Sequence, residues 1–189
     1  CFSTHPLKNL NACGDGGFLK KNNKNYYLQA KKMRNHGLED RNLVKNFGFI
    51  SRMDTIQAAI LNYRLKKLDK TIKRRRENFK FYSNYLDPKN IYFPIEEKYQ
   101  FNTYHTFVIQ TKNRNNLKQY LLKNGIGTAI HYPIPIHLQK SSKNLNYKKN
   151  DFINTEKQAN QILTLPINEN LNKNDIIKIS NLTNKFFKK

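Results

Sequence analysis

Acidic residues are the scarcest class for their kind in this chain: 13 Asp and Glu stand against 35 Lys and Arg among 189 residues, a formal net charge of +22. Tryptophan is absent and cysteine occurs twice, as Cys1 and Cys13. Two cysteines without framework spacing exclude a disulfide scaffold, and a reducing cytoplasm is the expected setting. No apolar run approaches the roughly 20 residues a bilayer-spanning helix needs, and no stretch carries a secretory-signal pattern. No internal repeat or low-complexity linker divides the chain. Hydrophobic residues make up only 38%, yet the 12% aromatic share argues against disorder. The shortage of acid admits a nucleic-acid-binding module as one reading. Against it, the basic residues are scattered. Lys, Asn, Ile, Tyr and Phe are also abundant together, as drift in an AT-rich coding sequence produces. The densest run, Lys73-Arg74-Arg75-Arg76, lies in a helical pattern and is expected to be a solvated helix face.

The patterning predicts mixed helix and strand. Residues 1–20 read as strand, loop and strand. A turn at 22–25 precedes a short helix over 26–34, ended by Asn35-His36-Gly37, and residues 38–50 read as irregular. Asp54 is placed to cap a long helix reaching about Leu86, where Asp87-Pro88 stops it. Strands are expected over 104–111 and 127–132, with a helix over 114–123 between them, closed by Asn124-Gly125. Pro133 and Pro135 force an extended segment outside any ladder, and a polar loop is expected over 140–152. A helix opening at Asn154 or Thr155 and a last amphipathic helix over 173–187 complete the chain. Strand, helix, strand, helix indicates α/β or α+β.

One short segment concentrates the chemistry: Ser3-Thr4-His5-Pro6-Leu7-Lys8-Asn9-Leu10, followed by Gly14-Asp15-Gly16-Gly17. Pro6 and the glycines hold the loop, which presents one amine at a fixed point. A lysine so placed can form a Schiff base with a carbonyl compound, pyridoxal phosphate (PLP) above all. That chemistry requires the neutral amine. The chain opens inside a strand and without Met, and is expected to be the C-terminal part of a longer protein.

Ser-x-His-Pro-x-Lys-Asn-Leu with Gly-Asp-Gly-Gly resembles the cofactor-lysine segment of DegT/StrS-type sugar aminotransferases. Further blocks follow in that family's order. Arg34-Asn35-His36-Gly37 is similar to its R-x-H-G turn. Gly48 to Leu61 is similar to its G-x-N-S-R-M-D-x-x-Q-A-A-x-L helix entry. Tyr104-His105-x-Phe107-Val108, Gly125-Ile126, His131-Tyr132-Pro133-x-Pro135-x-His137-x-Gln139 and Leu165-Pro166-Ile167 complete the series. The resemblance covers essentially the whole chain.

It implies an α/β fold of the fold-type-I PLP transferases. Residues 1–53 would be the end of the PLP-binding large domain. Residues 54–189 would be a long connecting helix and a small C-terminal α+β domain. Carried over position by position, Lys8 holds PLP and moves protons on the substrate carbon, and Ser3 contacts the cofactor phosphate. Ser51, Arg52 and Gln57 support a site shared with a neighbouring subunit. His131, Tyr132 and His137 line the substrate cleft. The family's cross-subunit asparagine is Ile50 here, which cannot donate a hydrogen bond. The implied reaction moves an amino group, from glutamate, onto a keto sugar linked to dTDP or UDP, feeding lipopolysaccharide, capsule or other surface glycans. The implied assembly is a homodimer. The other PLP contacts of the family precede the lysine, so this chain is expected not to transaminate alone. A dehydratase or regulator of the same fold is the alternative. Dehydratases replace the lysine with histidine, and Lys8 favours transamination. His-Tyr-Pro-x-Pro-x-His has too few ligands nearby for a metal site.

Overall fold

The computed structural model describes residues 1–188. The chain forms two compact units, Cys1–Lys70 and Thr71–Lys189.

In the first unit, β1 (Phe2–Ser3) and β2 (Gly17–Phe18) pair antiparallel, Phe2 opposite Phe18 and Ser3 opposite Gly17. The two Phe rings stack at 4.7 Å. A side chain at Gly17 would place its Cβ 2.7 Å from the Phe2 carbonyl oxygen, so the close pairing requires glycine. Helix α1 (Lys24–Met33) starts two residues before the expected position because Asn23 caps it, its side chain accepting from the Asn25 and Tyr26 amides. The chain leaves α1 through Gly37, whose φ of +74° favours glycine. Residues 38–50 carry only isolated bridges, Asn35 to Ile50 and Leu38 to Val44.

The expected single helix from Asp54 to Leu86 is two helices, α2 (Thr55–Leu65) and α3 (Leu68–Tyr85). At the break the Lys67 amide donates to the Arg64 carbonyl at 2.9 Å, the tighter closure of a 3₁₀ turn. No Gly or Pro marks it. Asp54 precedes α2 without a side-chain capping bond.

The second unit holds the core. β3 (Phe107–Gln110) pairs antiparallel with β4 (Ile162–Leu165), Phe107 opposite Leu165 and Gln110 opposite Ile162. α4 (Arg114–Lys123) and α6 (Lys173–Phe187) fall where the patterning placed them, and α5 (Ile153–Gln161) begins one residue early. The strand expected over 127–132 reduces to one bridge, Ala129 to Thr164, and beyond it Pro133 and Pro135 offer no donors to a ladder. The partner of β3 comes instead from Ile162–Leu165, where alternate residues Leu163 and Leu165 are fully buried. The expected strand over 104–111 shortens because Tyr104 takes a positive φ of 47°. The stretches read as extended and as polar loop contain 3₁₀ turns at Ile136–Leu138 and Lys140–Leu145.

Phe79, Tyr82 and Leu86 of α3 and its end pack with Phe107 and Ile109 of β3, Leu117 and Leu121 of α4, and Ile176 and Ile179 of α6. Each such side chain, fully buried, contributes about 1.5–3 kcal/mol. The arginine run is not a solvated face. Arg74 donates to the Leu171 carbonyl at 2.9 Å, and buried Arg75 pairs with Glu169 at 2.8 Å. Arg76 forks onto Glu96 at 2.7 and 2.8 Å and stands over the Phe101 ring at 4.4 Å. Arg74 also pairs locally with Glu77 at 3.2 Å, but the acids that pair with Arg75 and Arg76 are 94 and 20 residues away, beyond any local pattern. Among the described residues, no helix is long and apolar enough to cross a membrane, and no cluster of His, Cys, Asp and Glu could hold a metal.

Candidate functional site

The loop between β1 and β2 carries Lys8, half-buried, on a turn closed by its own amide onto the His5 carbonyl at 2.8 Å. The Thr4 amide donates to Gly16 at 2.9 Å and the Ala12 amide to Thr4 at 2.8 Å, so both ends of the loop are fastened. The Ser3 hydroxyl, exposed on the strand leading in, accepts from the His5 amide at 3.4 Å, and the Leu7 amide donates to His5 Nδ1 at 3.1 Å.

Helix α2 supplies the rest of the frame. Gln57 Oε1 accepts from the Cys13 amide at 2.8 Å. A Cβ at Gly14 would sit 2.6 Å from Gln57 Nε2, so glycine there lets the loop close on the amide. About two turns further along α2, Arg64 Nη1 donates to the Asn11 carbonyl at 2.6 Å. Gln57 thus meets this chain's own lysine loop. Arg64 was not among the residues singled out from sequence; its spacing of seven from Gln57 on one helix face was the available signal.

Two motif blocks distant in sequence are joined. Arg34 Nε donates to the Ser51 carbonyl at 2.9 Å, and the Ser51 amide returns to the Arg34 carbonyl at 3.0 Å. Arg52 Nη2 lies 3.4 Å from His36 Nε2. Gly37 and Gly48 pack backbone to backbone between them: a Cβ at Gly48 would stand 2.3 Å from the Gly37 nitrogen. Ile50, at the departed position, keeps its side chain largely exposed. Beside these blocks lies a cleft of about 660 Å³ whose wall carries Lys31, Lys32, Arg34, Arg41 and Arg52 together with the acids Glu39 and Asp40. Lys32 at 2.6 Å and Lys45 at 3.4 Å hold the Glu39 carboxyl below the usual carboxylate range. The cationic excess on that wall suits an anion.

In the second unit, His131, Tyr132 and His137 lie on one segment but in different surroundings. His131 Nδ1 is 2.9 Å from Thr164 Oγ1, and Tyr132 is exposed. His137 is nearly buried, 3.1 Å from Glu156. Burial pushes the Glu156 carboxyl up, but bonds from His137 and the Asn150 amide outweigh it and hold the group below its ordinary value.

Comparison with known proteins gives a consistent set of relatives. A "Pleiotropic regulatory protein" of Geobacillus stearothermophilus is 32% identical over 88% of this chain and 45% of its own length. The dTDP-3-amino-3,6-dideoxy-alpha-D-galactopyranose transaminase of Aneurinibacillus thermoaerophilus is 33% identical over 90% of this chain and 47% of its own. The UDP-N-acetyl-3-dehydro-alpha-D-glucosamine 3-aminotransferase of Acidithiobacillus ferrooxidans is 31% identical over 95% and 48%. The chain spans about half the length of the curated relatives it matches. Among solved structures, DesV of S. venezuelae, in complex with a ketimine intermediate, superposes with a TM-score of 0.94 at 28% identity, covering 100% of this chain and 51% of that one. A Bacillus subtilis protein, ntda, with bound cofactor PMP superposes at 0.84 and 28% identity, covering 97% and 45%. The α/β architecture is that of the aminotransferases. With the match extending over residues 1–183, the chain belongs to the DegT/DnrJ/EryC1/StrS aminotransferase family.

Proposed function

We propose that the protein to which this chain belongs is a PLP-dependent aminotransferase acting on a keto sugar linked to dTDP or UDP, with glutamate as amino donor. The observation that carries the reading is the framed lysine loop. A half-buried amine at Lys8 and an exposed hydroxyl at Ser3 sit on one hairpin, fastened by Gln57 and Arg64. That donor set fits an aldehyde bearing a phosphate: an amine for the carbonyl carbon, a hydroxyl for a phosphate oxygen. PLP supplies an electron sink for the substrate carbon. Lys8 takes and returns the proton at that carbon. Ser3 donates to the phosphate, and Gln57 keeps the loop in place. Arg52, with Arg34 and Arg41 on the cleft wall, suits the diphosphate of a nucleotide sugar, and Ser51 anchors that block through its backbone. His131, Tyr132 and His137 take the sugar-side role that the family resemblance implies, Tyr132 being exposed.

The names of relatives that act on dTDP- and UDP-linked sugars support the substrate class. The use we assign is surface-glycan synthesis in the cytoplasm. The partner is a second copy, with shared sites, on a face that includes the exposed side chains of Phe47, Phe49, Ile50 and Ile56. The domain limits we favour are residues 1–53 for the large-domain part and 54–189 for the helix-linked small domain. A regulatory use of the same fold is the second reading, favoured by the name of the Geobacillus relative.

The test is amino transfer. A polypeptide of the relatives' full length carrying this chain is expected to convert glutamate to 2-oxoglutarate only with PLP and a nucleotide-linked keto sugar. Lys8→Ala is expected to abolish it, and the 189-residue chain alone to show none. Undiminished transfer by Lys8→Ala would sink the assignment. Turnover by the chain alone would remove only the clause on competence. PLP binding at Lys8 without transfer would favour the regulatory reading.

A further inference from the structure

The segment from His131 to His137 begins and ends on a histidine, and each is tethered to a different element. His131 Nδ1 meets Thr164 Oγ1 of β4 at 2.9 Å. His137 Nε2 meets Glu156 Oε1 in the first turn of α5 at 3.1 Å. The second tether is nearly dry, the two side chains keeping 8% and 12% of their exposure. The same carboxylate oxygen accepts from the Asn150 amide at 2.7 Å, and the Phe152 ring stands 4.8 Å from the imidazole. Buried Ser142 donates its hydroxyl to the Ile136 carbonyl at 2.7 Å, fixing the turn that follows.

Between the tethers the side chains are open. Tyr132 is 72% exposed, Ile134 51% and Ile136 81%. Pro133 and Pro135 fix φ there and remove two donors, so the stretch is stiff without belonging to a ladder. A short, stiff, exposed stretch held at both ends keeps a phenol and two aliphatic side chains in place before any ligand arrives. Such preorganisation removes the ordering cost from binding.

We propose that Thr164 and Glu156 are positioning residues that hold Tyr132–Ile136 as a preformed arch toward the nucleotide-linked sugar, with His131 and His137 as its tethers. The inference rests on the transaminase reading for what the arch faces, but not for its existence. Glu156 acts through His137, and Thr164 through His131. The tether needs an acceptor at position 156, which a glutamine retains and an alanine lacks.

The chain lacks tryptophan, so Ile134→Trp gives a single reporter on the arch. Its fluorescence anisotropy, with amide exchange at Gln139, Ser142 and Asn150, reads arch order without PLP or sugar, while the unfolding midpoint reads the fold. Glu156→Ala is expected to lower the anisotropy and speed exchange about tenfold. Glu156→Gln is expected to stay within about twofold of the parent. Thr164→Val is expected to lower the anisotropy at an unchanged midpoint, and Thr164→Ser to restore it. Parental anisotropy and exchange in both Glu156→Ala and Thr164→Val would overturn the proposal, as would a glutamine as damaging as alanine. If Glu156→Ala does not fold, the Thr164 pair decides alone. In a polypeptide of the relatives' full length, Thr164→Val is expected to raise KM for the sugar nucleotide severalfold with kcat within about twofold; a fall in kcat at constant KM would overturn the positioning role. Because the anisotropy is read without ligand, its outcome stands apart from success or failure of the amino-transfer assay.

Discussion

From Phe79 to Ile179 a continuous set of buried aromatic and aliphatic side chains closes one core, whereas between Cys1 and Lys70 the buried hydrophobics among the described residues are Ala12 and Leu61. The first unit instead leaves Phe2, Tyr26, Phe47, Phe49 and Ile56 largely open. Its shape is kept by polar tethers: Gln57 and Arg64 on the lysine loop, Arg34 with Ser51, Gly37 against Gly48. A hydrogen bond contributes about 1 kcal/mol net, against about 1.5–3 kcal/mol for a buried core side chain. The residues with chemistry in the first unit therefore depend on a few named bonds, and the arch in the second rides on a packed frame. Wide exposed apolar surface also marks an interaction face, which agrees with the shared site proposed for the family's assembly.

The contrast is broken most strongly by alanine truncations of a large apolar side chain in each unit. Leu163→Ala, fully buried in β4, is expected to cost about 3 kcal/mol in denaturant unfolding. Phe47→Ala, 99% exposed, is expected to change stability by less than about 0.5 kcal/mol. Equal losses would erase the distinction. Next comes Gly37→Ala. The left-handed φ of +74° and a Cβ position 1.6 Å from the Asn46 carbonyl oxygen force the turn open. Loss of about 2 kcal/mol is expected, with faster amide exchange at Lys45 and Phe49; retained protection would show that backbone packing does not hold the blocks together.

Arg64→Met keeps the aliphatic stem and removes the donor to Asn11. Exchange at the Ala12 and Cys13 amides is expected to quicken about tenfold, equivalent to roughly 1.4 kcal/mol, with the second unit untouched. Unchanged exchange would mean that Arg64 does not frame the lysine. The smallest effect is in pH dependence. The Arg76 hydrogen bond and the Asn102 amide hold Glu96 below its ordinary pKa, as Lys32 and Lys45 hold Glu39. A carboxylate depressed in the folded state stabilises above its unfolded pKa, about 4.3, and loses that contribution as pH falls through the folded value. Glu96→Gln is therefore expected to be less stable than the parent at pH 7, with the gap closing in acid. Glu39→Gln, on the more exposed pair, is expected to show a smaller gap because solvent screens it. A gap that widens in acid would reverse the sign.

Much of the fold was legible where local chemistry decides. α6 follows its amphipathic stripe, α4 ends at Asn124-Gly125, and the hairpin around Lys8 follows from its glycines. The failures were tertiary. β4 could not be told from 127–132 until Leu163 and Leu165 had a core to enter, and the helix break at Lys66–Lys67 carries no breaker residue. The arginine run looked like a solvated face because Glu96 and Glu169 lie far along the chain. At the site, Lys8 and Ser3 stood out through their motif. Arg64, Thr164 and Glu156 did not, since each matters through a partner that folding brings to it.

The most direct test of the framed lysine is borohydride trapping of PLP on the intact chain, followed by peptide mass mapping. Label concentrated on Lys8 relative to the other lysines, and falling toward their level in Gln57→Ala together with Arg64→Met, is the result expected. Label spread evenly over the lysines, with Lys8 no more reactive than its neighbours, would contradict a preformed PLP-lysine loop.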